Sequence, residues 1–163
     1  RVLSALAGSF HEADAFAEAI ADGVGCLVLS GGYPTTWATE SMVEAVGETP
    51  LVLLDLLPNR LTDRASVLLP TASWAEKAGT FENIRGTLQS FNQAIHPLEF
   101  CKSEAQIALD LMAALDDVAP EIFDAARTRH EMAAISSLEA FSTLVCPLDD
   151  DATAETDMVV VDL

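Results

Sequence analysis

The 163 residues suffice for one domain with a hydrophobic core, since half of them are hydrophobic. The 26 acidic residues outnumber the 8 Lys and Arg and give a formal net charge of −18 at pH 7, which argues against nucleic acid or an anionic membrane surface as a partner. No apolar run approaches the roughly 18 residues needed to cross a bilayer, so we predict no direct membrane insertion and a cytoplasmic location.

The first half of the sequence alternates predicted helices with short apolar strands. Apolar residues at helical spacing indicate the helices, and continuously apolar runs indicate strands that are buried on both faces of a parallel sheet. In chain order we predict a helix over residues 10–22 ended by Gly23, a strand over 24–29, a helix from Thr36 or Thr39 through Gly47, a strand after Pro50 (LVLLDLL), and a strand over 66–69 stopped by Pro70. This order predicts half of an open, mostly parallel, Rossmann-like α/β sheet, whose ligands lie at the carboxyl ends of the strands.

The second half of the sequence has a different pattern. Two β-prone segments around Arg85-Gly86 predict a hairpin or an extended crossing, and two C-terminal helices follow, one capped by Ser103 and one beginning at Pro120. We predict an α/β domain over residues 1–145 and an acidic linker with a terminal strand over 146–163. A strand so near the last residue suggests that the protein is cut from a longer one.

The cysteines and histidines are dispersed along the sequence. Cys26, Cys101 and Cys146 form no CxxC pair, so we predict buried thiols in preference to disulfides or metal ligands. The three histidines lie on separate predicted elements, without a Cys or an acid at ligand spacing. We therefore predict no metal site.

The run LLPTASWAEKAGTFENIRGTLQSF, from Leu68 to Phe91, resembles a segment of the molybdopterin-dependent oxidoreductases and of the related large iron–sulfur subunit of NADH:quinone oxidoreductase (complex I). That segment reads roughly "ADVVLP-x-x-x-x-x-E-x-x-GT-x-x-N-x-EGR-x-Q". A weaker likeness extends from about Ala13 to Leu115. The residues that match in register, without gaps, are Ala65, Val67, Leu69, Pro70, Glu76, Gly79, Thr80, Asn83, Gly86 and Gln89.

The resemblance implies an α/β domain that holds the guanosine end of a molybdopterin guanine dinucleotide in a parent protein. It places the iron–sulfur clusters and the metal centre in upstream domains, so this fragment has no cofactor, metal ligand or catalytic residue of its own. The implied partners are those upstream domains and other oxidoreductase subunits, with attachment to a membrane only through such a complex.

Several departures from the family pattern point to a degraded cofactor site. Arg85 and Thr87 replace the Glu and Arg of "EGR", Ser66 replaces the Asp of "AD", and Tyr33 replaces the Asn of "G-x-N-P". A Tyr there adds bulk and removes a group that both donates and accepts hydrogen bonds. The departures favour a scaffold domain like that of complex I over the alternative, a dinucleotide-holding domain of an active molybdenum or tungsten oxidoreductase of the formate dehydrogenase or nitrate reductase type.

Five residues are candidates for cofactor binding under the resemblance: Gly31, Gly32, Asp55, Lys77 and Asn83. A carboxylate at Asp55 suits the adjacent N–H donors of guanine, and glycine N–H groups approach phosphates closely. Each also has a structural interpretation. Asp55 could cap the turn through Pro58-Asn59, the glycine pair could be a plain turn, and Lys77 could be solvated beside Glu76 in a short helical turn that covers Trp74.

Overall fold

A parallel three-stranded sheet forms the centre of the protein. The computed structural model describes residues 16–21, 23–32 and 34–144. Strands β1 (Leu27–Ser30), β2 (Leu51–Asp55) and β3 (Val67–Pro70) lie in that order, with β2 in the middle. Leu27 is opposite Leu51, and Val52 is opposite Val67. The predicted α/β class and parallel strand order are confirmed.

Helices α1 (Phe16–Ala21) and α2 (Glu40–Val46) pack on one face of this sheet. Thr39 caps α2, because its hydroxyl accepts a hydrogen bond from the Met42 N–H at 3.2 Å. A 3₁₀ turn at Thr62–Arg64 makes the short connection from β2 to β3. The core on this side is aliphatic and consists of Ala38, Val46, Leu51, Leu53 and Leu61.

The second face of the sheet is only partly covered. Val28, Val52 and Val67 are neighbours across the strands, yet Val28 is 62% exposed and Val67 is 46% exposed. The prediction that the first strand is buried on both faces is therefore wrong for β1, and β3 is partly exposed as well. The error has a physical cause: a continuously apolar strand requires cover on both sides, but α1 and α2 pack only against the first face.

An antiparallel hairpin follows the sheet, as the turn residues predict. Strands β4 (Gly79–Glu82) and β5 (Leu88–Phe91) pair with Gly79 opposite Phe91. A side chain at position 79 would meet the Phe91 ring at 2.8 Å, and Gly86 has a φ of +76° in the turn. The rings of Phe81 and Phe91 stack with their centroids 4.6 Å apart.

The C-terminal part is helical, with one shifted boundary. Helix α3 (Glu104–Leu115) is capped by Ser103, as predicted, and helix α4 (Ala125–Ala133) is followed by 3₁₀ turns at Ser136–Thr143. The predicted start of α4 at Pro120 is wrong. The Asp124 carboxylate caps the helix instead, while the Gln106 side chain binds the backbone of residues 121 and 123 and holds that segment outside it.

Two described cysteines are free thiols, and they differ in burial. Cys101 is half-buried, whereas Cys26 is exposed just before β1, so its predicted burial is wrong. Among the residues that the structure describes, no helix has the length and apolar character required to span a bilayer. Four predicted features lie outside the described residues: the first turns of the helix over 10–22, the Tyr33 position, Cys146, and the terminal strand at 158–163.

The predicted short helical turn is present at Trp74–Glu76, but Trp74 is 67% exposed and is not covered by it. Glu76 joins this turn to a distant loop. Its carboxylate accepts hydrogen bonds from the Ser73 N–H at 2.7 Å and from the Leu98 N–H at 3.3 Å. The hydrogen bonds from Ser73, with a smaller contribution from Leu98, hold the pKa of Glu76 below its ordinary value of 4.5.

Because the pKa of Glu76 is lower in the folded state, its carboxylate stabilises the fold above the ordinary pKa and loses that effect as the pH falls. We expect Glu76→Gln to unfold at lower urea concentration than the wild type at neutral pH, with the difference shrinking below pH 4.5. Urea titrations at both pH values measure this, with the exposed Glu99→Gln as control. A difference that is the same at both pH values would contradict the assignment.

Candidate functional site

The candidate site lies where the strands end, at the carboxyl edge of the sheet. Gly31 and Gly32 follow β1, and Asp55 is the last residue of β2. The Gly31 N–H donates to the Leu54 carbonyl at 2.8 Å, so the pairing of β1 with β2 continues into the glycine loop. In open parallel sheets this edge is where ligands bind.

Asp55 is buried, with 5% of its surface exposed, and its carboxylate accepts four hydrogen bonds from the protein itself. Oδ1 accepts from the backbone N–H groups of Gly32 at 2.9 Å and Leu56 at 2.6 Å. Oδ2 accepts from Trp37 Nε1 at 2.8 Å and from Asn59 Nδ2 at 2.5 Å. A carboxylate has about four lone-pair sites, so this set uses all of them. These four hydrogen bonds, called here the Asp55 tie, therefore connect the loop after β1 to the loop after β2.

Gly31 is required by this tie. A Cβ at position 31 would lie 2.5 Å from Trp37 Nε1 and 2.6 Å from the Asp55 carboxyl carbon, in direct overlap with both groups. Gly32 adopts a φ of +89°, a conformation that side chains disfavour. The glycine pair thus allows the backbone to approach the carboxylate.

Lys77 forms an ion pair with Glu104, the first residue of α3. The two charged groups are 2.5 Å apart, and their side chains are only 22% and 28% exposed. The interpretation of Lys77 as a solvated partner of Glu76 is therefore wrong. A side chain at Gly32 would lie 3.3 Å from the Glu104 carboxylate, which places this pair beside the glycine loop.

The fifth candidate, Asn83, lies elsewhere. It is exposed in the turn of the hairpin, where its side-chain oxygen accepts hydrogen bonds from the N–H groups of Arg85 and Thr87 at 2.9 and 3.0 Å. These bonds stabilise a turn in the manner typical of Asn. The structure thus brings together Gly31, Gly32, Asp55 and Lys77 but not Asn83.

Two important members of the site were not identified from the sequence. Trp37 follows the glycine loop without any motif that marks its indole as a partner for Asp55, and Glu104 is 27 residues from Lys77. The position of Glu104 immediately after the Ser103 cap was a signal, but an acid at the start of a helix is common and carries little specificity.

Two adjoining cavities lie at the loops after the strands, and the larger one, of about 460 Å³, is lined by Asn59, Arg60 and Asp63 among others. A cavity of about 90 Å³ lies between the two loops and is lined by Trp37, Asp55, Asn59 and neighbouring residues. The charged groups described above comprise two carboxylates, Asp55 and Glu104, and one ammonium group, Lys77. No three His, Cys, Asp or Glu side chains gather in a metal-binding arrangement within residues 16–21, 23–32 and 34–144.

Comparison with known proteins agrees with this architecture. Residues 12–114 match the model of the molybdopterin oxidoreductase family. Over 86 residues, half of this chain, the sequence is 35% identical to the G subunit of the NADH-quinone oxidoreductase of Streptomyces coelicolor. Over 71 residues, 44% of this chain, it is 32% identical to a nitrate reductase of Symbiobacterium thermophilum. These matches span 10% and 9% of the two relatives. The family match covers more than half of the chain, which therefore belongs to the molybdopterin oxidoreductase family.

Proposed function

We propose that this protein is the C-terminal domain of a large redox subunit resembling the large iron–sulfur subunit of NADH:quinone oxidoreductase, where it serves as a scaffold in an electron-transfer enzyme and is not catalytic alone. The observation that carries this proposal is the state of Asp55. The family position that would accept hydrogen bonds from a guanine edge is engaged by four donors of the protein itself.

A guanine base does not fit this arrangement of donors. Guanine presents two adjacent N–H groups that need a free acceptor site on each carboxylate oxygen. Binding would therefore require a backbone donor, Gly32 or Leu56, to leave Oδ1 and a side-chain donor, Trp37 or Asn59, to leave Oδ2. The contacts of Asp55 are those of a structural tie between two loops.

The charges at the site also disfavour a nucleotide. A pyrophosphate needs cations or free N–H groups, but the Lys77 ammonium is already neutralised by Glu104 and the Gly32 N–H is bound to Asp55. The pyrophosphate would meet more negative charge than positive charge. We therefore assign no step to the dinucleotide in this protein.

Nucleotide titration tests the scaffold function. We expect no saturable change in thermal stability or in Trp37 and Trp74 fluorescence when the full chain is titrated with GMP or GDP up to about millimolar concentration, since a ligand at 100 times its Kd would add about 2.7 kcal/mol of stability. Trp37→Phe is a variant matched to the wild type, because it removes one hydrogen-bond donor from Asp55 and frees one acceptor site for a guanine N–H group. If the wild type binds GDP and not ADP, the alternative is correct and the domain holds a guanosine dinucleotide in an active molybdenum or tungsten oxidoreductase.

A further inference from the structure

We propose that the second face of the sheet and the adjoining side of α3 form a docking surface for the remainder of the oxidoreductase subunit. This inference rests on the proposed function and names the surface through which the scaffold acts. The surface, called here the uncovered face, consists of Val28, Val67, Leu69, Phe100, Leu111 and Leu115.

Neighbour relations make the uncovered face continuous. Val28, Val52 and Val67 form a row across the three strands, and Leu69 lies on the same face two residues beyond Val67. Leu69, Phe100 and Leu111 then line one groove of about 210 Å³. Leu115 follows Leu111 by one helical turn. The apolar surface therefore runs from the edge strand β1, across the sheet and along α3.

Several apolar side chains of the uncovered face are largely exposed to solvent. Phe100 is 88% exposed and Leu115 is 87% exposed, while Leu111 is 43% exposed. Contiguous apolar surface of this kind, bordered by polar groups, is characteristic of protein interfaces. The polar border at the groove is the ion pair of Lys102 and Asp110, whose atoms are 2.5 Å apart.

The backbone of Phe100 supports the same conclusion. Its φ of +68° lies in the left-handed region, which costs a bulky residue conformational energy. This backbone conformation leaves the Phe100 ring exposed at the edge of the apolar groove, where the ring gains little burial within this chain. Exposed aromatic anchors beside apolar grooves are the residues that dominate binding energy at protein interfaces.

The net charge of this chain and the length of its relatives indicate which polypeptide covers the uncovered face. A second copy would bring another −18 charges against the first, which opposes self-association. The two relatives carry about nine-tenths of their length outside the matched segment, and a parallel sheet needs cover on both faces. We therefore assign the cover to the rest of such a subunit, through an aliphatic surface bordered by Lys and Arg.

Site-specific photo-crosslinking in the assembled oxidoreductase tests this assignment. A photoreactive amino acid at position 67 or 115 should crosslink to oxidoreductase polypeptide outside these 163 residues, with the crosslinked peptide identified by mass spectrometry. Ile84 is fully exposed in the turn of the hairpin and is not part of the uncovered face, so position 84 should give no such crosslink. Crosslinks from 67 and 115 that reach only a second copy, or only residues 145–163 of the same chain, would overturn the proposal.

Substitutions that introduce a charge provide an independent measure of docking through the uncovered face. Val67→Glu and Leu115→Glu should each reduce recovery of the assembled oxidoreductase at least about tenfold, whereas Ile84→Glu should leave it unchanged. Thermal unfolding of each full-length variant monitors folding, and Leu115 on the helix surface is the safer position. Equal recovery for all three variants would contradict docking through this face. Nucleotide binding by the protein would instead refute the scaffold function, so the two failures are distinguishable.

Discussion

Asp55→Ala is expected to lower the free energy of unfolding by about 4 kcal/mol, because it leaves four hydrogen-bond donors without their acceptor at a buried site. Two of these donors are the backbone N–H groups of Gly32 and Leu56, which cannot move away without distorting the ends of β1 and β2. A loss of this size is a large fraction of the roughly 5–15 kcal/mol that stabilises a typical domain. Urea unfolding followed by Trp fluorescence measures the change.

Two controls separate the loss of the tie from the loss of a negative charge. Asp63 lies exposed in the nearby 3₁₀ turn, so Asp63→Ala should alter stability by no more than about 0.5 kcal/mol. Asp55→Asn retains one acceptor oxygen and should fall between Asp55→Ala and the wild type. If Asp55→Ala proves no more harmful than Asp63→Ala, the four hydrogen bonds do not stabilise the fold, and the main support for the scaffold function is lost.

Gly31→Ala should destabilise the protein by about 3 kcal/mol through steric overlap with the tie itself. The added methyl group would lie 2.5 Å from Trp37 Nε1 and 2.6 Å from the Asp55 carboxyl carbon, so one or both side chains must move and lengthen their hydrogen bond. The displaced indole should also change the Trp37 emission maximum. Thermal unfolding together with the emission spectrum of the folded protein measures both effects.

Gly25→Ala is the matched control for this substitution. Nothing lies within 4 Å of a Cβ built at Gly25, and the residue does not have a positive φ. Its replacement should therefore be neutral or slightly stabilising, since alanine restricts the unfolded chain. Equal destabilisation by both substitutions would show that the cost at Gly31 comes from the backbone and has no connection with Asp55.

Polar contacts at the carboxyl edge of the sheet connect the Asp55 tie to the helix that carries part of the uncovered face. Asp55 joins the loops that follow β1 and β2, and the Lys77–Glu104 ion pair joins the segment before the hairpin to the start of α3. Helix α3 in turn carries Leu111 and Leu115, which form part of the uncovered face. The Lys77–Glu104 ion pair thus connects the carboxyl edge of the sheet to the helix that carries part of the uncovered face.

Elements with local signals could be predicted from the amino-acid sequence. The apolar runs specified the three parallel strands, Ser103 specified the start of α3, and Gly86 specified the hairpin turn. Such features depend on backbone propensity, capping and turn geometry within a few residues, so they can be read without knowing the rest of the fold. The family motif from Leu68 to Phe91 also belongs to this local information.

The groups that meet at the strand ends, and the surfaces that remain uncovered, emerged only from the three-dimensional arrangement. Asp55 lies 18 residues from Trp37 and Lys77 lies 27 residues from Glu104, and no local pattern encodes those pairs. Likewise, the apolar character of Val28 and Val67 predicts burial, but both side chains are exposed in the folded chain. Side-chain partners and packing between layers depend on the spatial position of residues distant in sequence, because hydrogen bonds and apolar contacts act over only a few ångströms.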